Sequence, residues 1–178
     1  MPFTPFHMGP ALAVKAVCGR HFSLMVFGFS QIAIDIEPLV HIIRGDAVLH
    51  GFTHTYLGAT LIALASVLVG RPVCQFLLKY WTPDPSSPFL NWLHGPKLIS
   101  WPAAIASAFV GTYSHVFLDS IMHFDMQPLA PFSDTNALLH VISVDSLHLV
   151  CVLGGVLGVL LSFAVFIIRR GAQADGQD

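Results

Sequence analysis

Four stretches of the sequence, residues 22–43, 56–78, 100–122 and 147–168, are apolar for long enough to cross a membrane. The requirement is a hydrocarbon core about 30 Å thick, met at about 1.5 Å per helical residue. The composition agrees: 54% of residues are hydrophobic, only 10% are charged, and mean hydropathy is +0.71. A soluble domain carries about 25% charged residues, so lipid is the expected solvent and the bilayer the expected partner. The net charge of -2 is too small to point to nucleic acid or to an acidic-substrate groove. The opening MPFTPFHMGP has no basic n-region and no small-residue cleavage site follows the first apolar run, so it reads as mature chain. Cys18, Cys74 and Cys151 lie in apolar stretches without close Cys–Cys spacing and read as small buried hydrophobes.

A fifth apolar piece, residues 8–17, is too short to span. The expected fold is therefore all-α: a polytopic membrane helical bundle of four transmembrane helices plus a short N-terminal half-helix. It forms one membrane-embedded domain over 1–170, followed by a disordered polar tail over 171–178. Pro38 interrupts the first span and predicts an end or kink near Glu37. The proline-rich run 82–96 reads as a surface linker. Residues 124–145 read as a loop with a short helix capped by Asp134, and Asp145 as the N-cap of the last span. Lys15, Arg20, Arg71, Lys79, Lys97, Arg169 and Arg170 fall on one side and only Arg44 on the other. The positive-inside rule makes the first side cytoplasmic, with the C-terminus, and the 124–145 loop external. A bacterial inner-membrane protein fits this pattern.

The polar residues then collect at one depth. Asp35 and Glu37 end the first span, His50 and His54 precede the second, and His115, Asp119 and His123 occupy the external third of the third. A half-helix turning back at 15–20 returns His7 to the same side. His115 and Asp119, four apart, share a helix face and can hold one metal or bridge two. Ala103, Ser107 and Gly111 on the same ridge let a neighbouring helix approach, so the ligands face the bundle. His123 continues the ridge but reads equally as an interfacial histidine. Asp35 and Glu37 are roughly 200° apart on a regular helix, and the Pro38 break lets both turn to one site; a salt bridge from Glu37 to Arg44 is the bland alternative. Intramembrane ionisable residues mark function by default. Three imidazoles and two carboxylates (His7, Asp35, His54, His115, Asp119) suit Zn, Mn or Fe. They suffice for one or two divalent ions with an open water position, the arrangement of metal hydrolysis. Glu37 or His50 is the candidate general base. His21, His41 and His94 read as structural, His140 and His148 as capping or interface residues, and Gly154, Gly158 and Ser162 as a packing stripe.

The blocks FHMGPALA at His7, IAIDIEP at Asp35 to Glu37, HGFTHTYL at His54 and GTYSHVFLDS at His115 to Asp119 resemble the YdjM-like family of membrane-bound, metal-dependent hydrolases. The later MQPLAPF resembles the family's loop after its last motif. The resemblance covers roughly 6–132, and the GFTHT and SHVFLD blocks are its specific parts. Glu37 stands where the family usually has a second Asp. Leu49, His50 and Gly51 stand where it commonly has His-Arg-Gly, so a basic side chain is replaced by His50. The resemblance implies metal-dependent hydrolysis, by kinship with zinc-dependent phospholipase C-like helical enzymes, and leaves the substrate open.

The leading expectation is a metal-dependent hydrolase at the external membrane face, holding Zn or Mn and acting on a small phosphoester or lipid-like substrate. A metal or proton transporter is the alternative, although the cytoplasmic halves of the spans are almost purely apolar. A b-type haem protein needs two facing histidines, for which His54 and His115 are candidates, but carboxylates beside them suit haem poorly. A structural membrane protein with incidental polar residues is the remaining possibility. The substrate, the number of ions and the oligomeric state are open at this level.

Overall fold

The computed structural model describes residues 5–81 and 86–174, and among them all regular structure is helical, with no strand. Three helical runs are long and apolar enough to cross a membrane: Leu24–Arg44, Tyr56–Lys79 and Val144–Arg170. They correspond to the first, second and fourth apolar stretches. The third is helix α7 (Trp101–Met122), which is not among them because Ser107, Thr112, His115 and Asp119 lower its apolarity. The four-span layout expected from the sequence is thus matched in three of its members.

Helix α1 (Gly9–Cys18) is about 15 Å long at the standard rise and cannot cross. It lies along α8 (Val144–Ala174), where Ser162 Oγ donates to Leu12 O at 3.4 Å. A Cβ on Gly158 would stand 2.5 Å from the backbone nitrogen of Ala13. The stripe of Gly154, Gly158 and Ser162 is therefore a packing face for α1.

The first span is broken into α2 (Leu24–Ile34) and α3 (Ile36–Arg44), with Asp35 between them. Pro38 has no N–H for the carbonyl of Ile34, four residues back, and that carbonyl instead accepts from Thr53 Oγ1 at 3.1 Å. The break falls at Asp35 rather than near Glu37 because the missing bond lies a turn before the proline. The second span comprises α4 (Tyr56–Ala65), a π-helical turn (Ser66–Gly70) and α5 (Arg71–Lys79). Thr55 caps α4 by accepting from Gly58 N at 2.9 Å.

Helix α7 lies between α2 and α4 and buries most of its length. Ala103, Ala104 and Ala108 pack with Val26, Ala63 and Val67, and Val116 packs with Ile34, Ala59 and Met126. A Cβ at Gly111 would sit 2.1 Å from Ser30 Oγ. Only glycine lets α2 lie so close, which fixes the distance between Asp35 and His115.

Several local expectations are corrected. A short helix α6 (Pro88–His94) occupies part of the 82–96 linker, while 82–85 lie outside the described residues. No helix follows Asp134; Ser133 Oγ accepts from Thr135 N, and the loop turns back on α7. There Asn136 Nδ2 donates to Ser120 O, and His140 N to Ile121 O. The N-cap of α8 is Ser143, whose Oγ accepts from Ser146 N at 3.2 Å, and Asp145 sits in the first turn. Helix α8 continues to Ala174, into the stretch read as a tail, and 175–178 lie outside the described residues. Cys74 and Cys151 are buried, but Cys18 is exposed; all three are free.

Candidate metal centre

The break in the first span presents Asp35, the turn before α4 presents His54, and α7 presents His115 and Asp119 one helical turn apart. All four side chains are buried. Asp35 Oδ1 lies 3.3 Å from His115 Nε2 and 3.7 Å from His54 Nε2. Asp119 Oδ2 lies 3.2 Å from His115 Nε2 and 3.6 Å from His54 Nε2. Four donor atoms from three segments therefore face one point.

Two features separate this cluster from an ion-pair network. The Nε2 atoms of His54 and His115 are buried without a hydrogen-bond partner, although carboxylate oxygens stand nearby. A buried polar atom left so costs about 1–3 kcal/mol, and native structures rarely keep one without a role. The spacing also fits a shared ion: ligands about 2.0–2.1 Å from a tetrahedral centre stand about 3.3–3.4 Å apart. The donor set, two imidazoles and two carboxylates with no thiolate, could hold a metal ion.

Each ring is held from behind. His115 Nδ1 is bonded to Gln31 Oε1, and Gln31 Nε2 donates to Gly111 O at 3.0 Å, which fixes the amide so that its oxygen faces the ring. The proton of His115 then sits on Nδ1, and the lone pair on Nε2 points at the carboxylates. His54 Nδ1 lies 3.1 Å from Thr53 Oγ1, whose hydroxyl in turn donates to Glu37 Oε2. Such outer partners set tautomer and orientation in metal-binding histidines.

Glu37 faces the outer side of this shell. Its carboxylate accepts from Phe52 N at 3.1 Å and Thr53 N at 2.8 Å, and Oε2 stays 4.0 Å from His54 Nδ1. A Cβ on Gly51 would come within 2.6 Å of Glu37 Oε1, so a larger residue there would push the carboxylate aside. Glu37 is taken up by this loop and not by Arg44.

His7 belongs to the other oxygen of Asp119. Its Nε2 lies 3.4 Å from Asp119 Oδ1, its ring stands edge-on to His115, and both ring nitrogens lack a hydrogen-bond partner. Burial pushes the imidazolium down to about 4, against the pull of Asp119, so the ring is neutral at neutral pH. His50 turns Nε2 toward Asp119 Oδ2 at 3.9 Å and bonds through Nδ1 to Asp125 Oδ1 at 2.8 Å. Burial, and next the neighbouring His54, lower its pKa against the effect of Asp125. Asp125 also accepts from Leu49 N and His50 N. Burial raises its carboxyl, but these bonds outweigh that and hold it down to about 2. His123 stacks on His50 with ring centroids 4.3 Å apart.

Gln31 and Asp125 were missed in the sequence. Gln31 precedes Asp35 by one helical turn, and a lone amide on that face of an apolar helix was an available signal. Asp125 follows His123 by two residues, but its pairing with His50 depends on the loop fold and left no local trace. Elsewhere, His41 pairs with Asp46, His148 stacks on Phe6, and His21 is exposed; the side chain of His94 lies outside the described residues. His54 and His115 stand edge to face at 5.3 Å, both turned to the same carboxylate oxygen. Axial ligands of a haem would approach from opposite faces, so this pair does not suit one.

Beside the cluster opens a cavity of about 760 Å³. His50 and Asp125 form its polar wall, and Val48, Phe52, Leu57 and Phe124 are among its apolar residues. Comparison with protein-family models, curated proteins and solved structures finds no match to this chain.

Proposed function

We propose that this chain is an integral-membrane, metal-dependent hydrolase related to the YdjM-like family. It acts at the external face of a bacterial inner membrane, with its C-terminus cytoplasmic, on a phosphoester or lipid-like substrate. The observation that carries the reading is the convergence of Asp35, His54, His115 and Asp119, with two buried ring nitrogens aimed at a common point and lacking partners. In this reading α7 is a fourth span at the centre of the bundle, its polar ridge shielded from lipid by α2 and α4.

A divalent ion held by these four residues with a further, open coordination position would lower the pKa of a water toward about 7 and polarise a substrate oxygen. The chain's own residues supply the rest. His50 is the general base: Nε2 faces the cluster and accepts the proton of the attacking water, while Nδ1–H donates to the Asp125 carboxylate. The imidazolium so formed is stabilised by that carboxylate and returns its proton to the leaving oxygen. Glu37 is a positioning residue, holding Thr53 and thereby His54. The apolar residues around the neighbouring cavity suit the hydrophobic part of an amphiphile whose head reaches His50.

Hydrolysis is favoured over transport because the partnerless buried imidazoles lie at one level. Further along the bundle Ser30 Oγ donates to Phe27 O, Thr112 Oγ1 donates to Ala108 O, and Ser107 Oγ accepts from Ser23 N. The test is metal analysis and hydrolysis of a phosphoester and phospholipid panel by purified protein in micelles. Wild type is expected to carry metal and to hydrolyse at least one panel member, with loss of both in His115→Ala and Asp119→Ala. Unchanged metal content in both variants rejects the reading.

A further inference from the structure

The four converging donors use only one oxygen of Asp119. The other, Oδ1, faces away from Asp35 and His54 and meets two further imidazoles. His7 Nε2 stands 3.4 Å from it and His123 Nε2 4.0 Å. These residues come from opposite ends of the fold's inner surface: His7 from the turn before α1, and His123 from the residue that ends α7, one turn beyond Asp119.

We propose that His7, Asp119 Oδ1 and His123 form a second, outer metal position, with Asp119 bridging it to the inner one. This deepens the hydrolase reading and rests on it. The strongest support is His7. Its side chain is only 4% exposed, yet neither ring nitrogen has a hydrogen-bond partner. A structural histidine at such a depth would satisfy at least one of them. The group that Nε2 faces is the Asp119 carboxylate, 3.4 Å away.

The second support is the division of labour within Asp119. Oδ2 is approached by His54 and His115, whereas Oδ1 is approached by His7 and His123. A carboxylate whose two oxygens serve different donors could be shared between paired ions about 3.5–4 Å apart, the spacing of two-metal hydrolytic sites. The third is openness. The inner donors are at most 5% exposed, but the His123 side chain is 26% exposed. Three protein donors and an accessible side leave room for water or substrate, as catalytic positions require. His50, stacked on His123 with Nε2 turned inward, stands beside that open side. The outer position would therefore be the more accessible of the two, and the inner one the more enclosed.

The experiment is a Mn(II) titration of full-length protein in micelles, read by bound-metal stoichiometry and by electron paramagnetic resonance. Wild type is expected to bind two ions whose spectrum shows exchange coupling through the shared carboxylate. His123→Ala should bind one ion with the uncoupled spectrum of isolated Mn(II), and His7→Ala should do the same. His123→Gln, a milder change at a partly exposed position, guards against misfolding and should also lose coupling. Two ions retained in His123→Ala and His7→Ala would overturn the proposal. One ion in wild type, lost in His115→Ala, would overturn it while leaving the single-ion hydrolase reading standing. No bound ion in wild type would overturn both.

Discussion

The two ends of α7 carry buried polar groups of different kinds. Near its N-terminus, Lys15 is 3% exposed, but Nζ donates to Gly19 O at 2.9 Å and to Phe22 O at 2.8 Å. Arg71 Nε donates to Ile99 O at 2.8 Å and lies over the Trp101 ring. Both cations are satisfied, Lys15 fully buried and Arg71 half-buried. Near the C-terminus of α7, His7, His54 and His115 are equally buried, yet each turns a nitrogen toward the Asp35 and Asp119 carboxylates without forming a hydrogen bond. Burial alone therefore does not mark a site; the unanswered nitrogens do. The basic end is a structural join, and the histidine end is a cluster of donors that could hold a metal ion.

This contrast can be broken in order of expected effect. Asp119→Ala removes the carboxylate that faces both His54 and His115, and metal content measured by mass spectrometry should fall to background. Metal removal comes next. A ligand present at about 1,000 times its dissociation constant stabilises the fold by about 4 kcal/mol. Chelation should therefore lower the thermal unfolding midpoint of wild type but leave that of Asp119→Ala unmoved. Gln31→Leu and Glu37→Gln should each weaken metal binding by about 10–100-fold while leaving stoichiometry intact, as loss of an outer partner does; competition with a chromophoric chelator reads this. Lys15→Met sharpens the other side. It should destabilise the fold by about 1.5–3 kcal/mol, the scale of hydrogen bonds to a charged group, with metal affinity unchanged.

Much of the histidine end was legible in the sequence because its donors sit in helices or beside them. The i, i+4 spacing of His115 and Asp119 puts both on one face, and the basic residues assign a common end to His7, Asp35 and His54. What lay beyond reach was set by non-local contacts. Whether Glu37 faces substrate or supports the 51–54 loop depends on Thr53 meeting a carbonyl that Pro38 leaves free. The partnership of Asp125 with His50 spans 75 residues and arises only when the 123–143 loop turns back onto α7. The third apolar stretch shows the limit from the other side: the polar ridge that makes α7 the carrier of the site also lowers its hydropathy below that of the other spans.

X-ray absorption at the zinc edge of the zinc-loaded protein tests the central claim most directly, because it reports the atoms around the ion. The expected first shell is nitrogen and oxygen at about 2.0–2.2 Å with imidazole outer-shell scattering, reduced in His115→Ala. A sulfur shell at about 2.3 Å, or a spectrum without imidazole that is the same in wild type and His115→Ala, would contradict it.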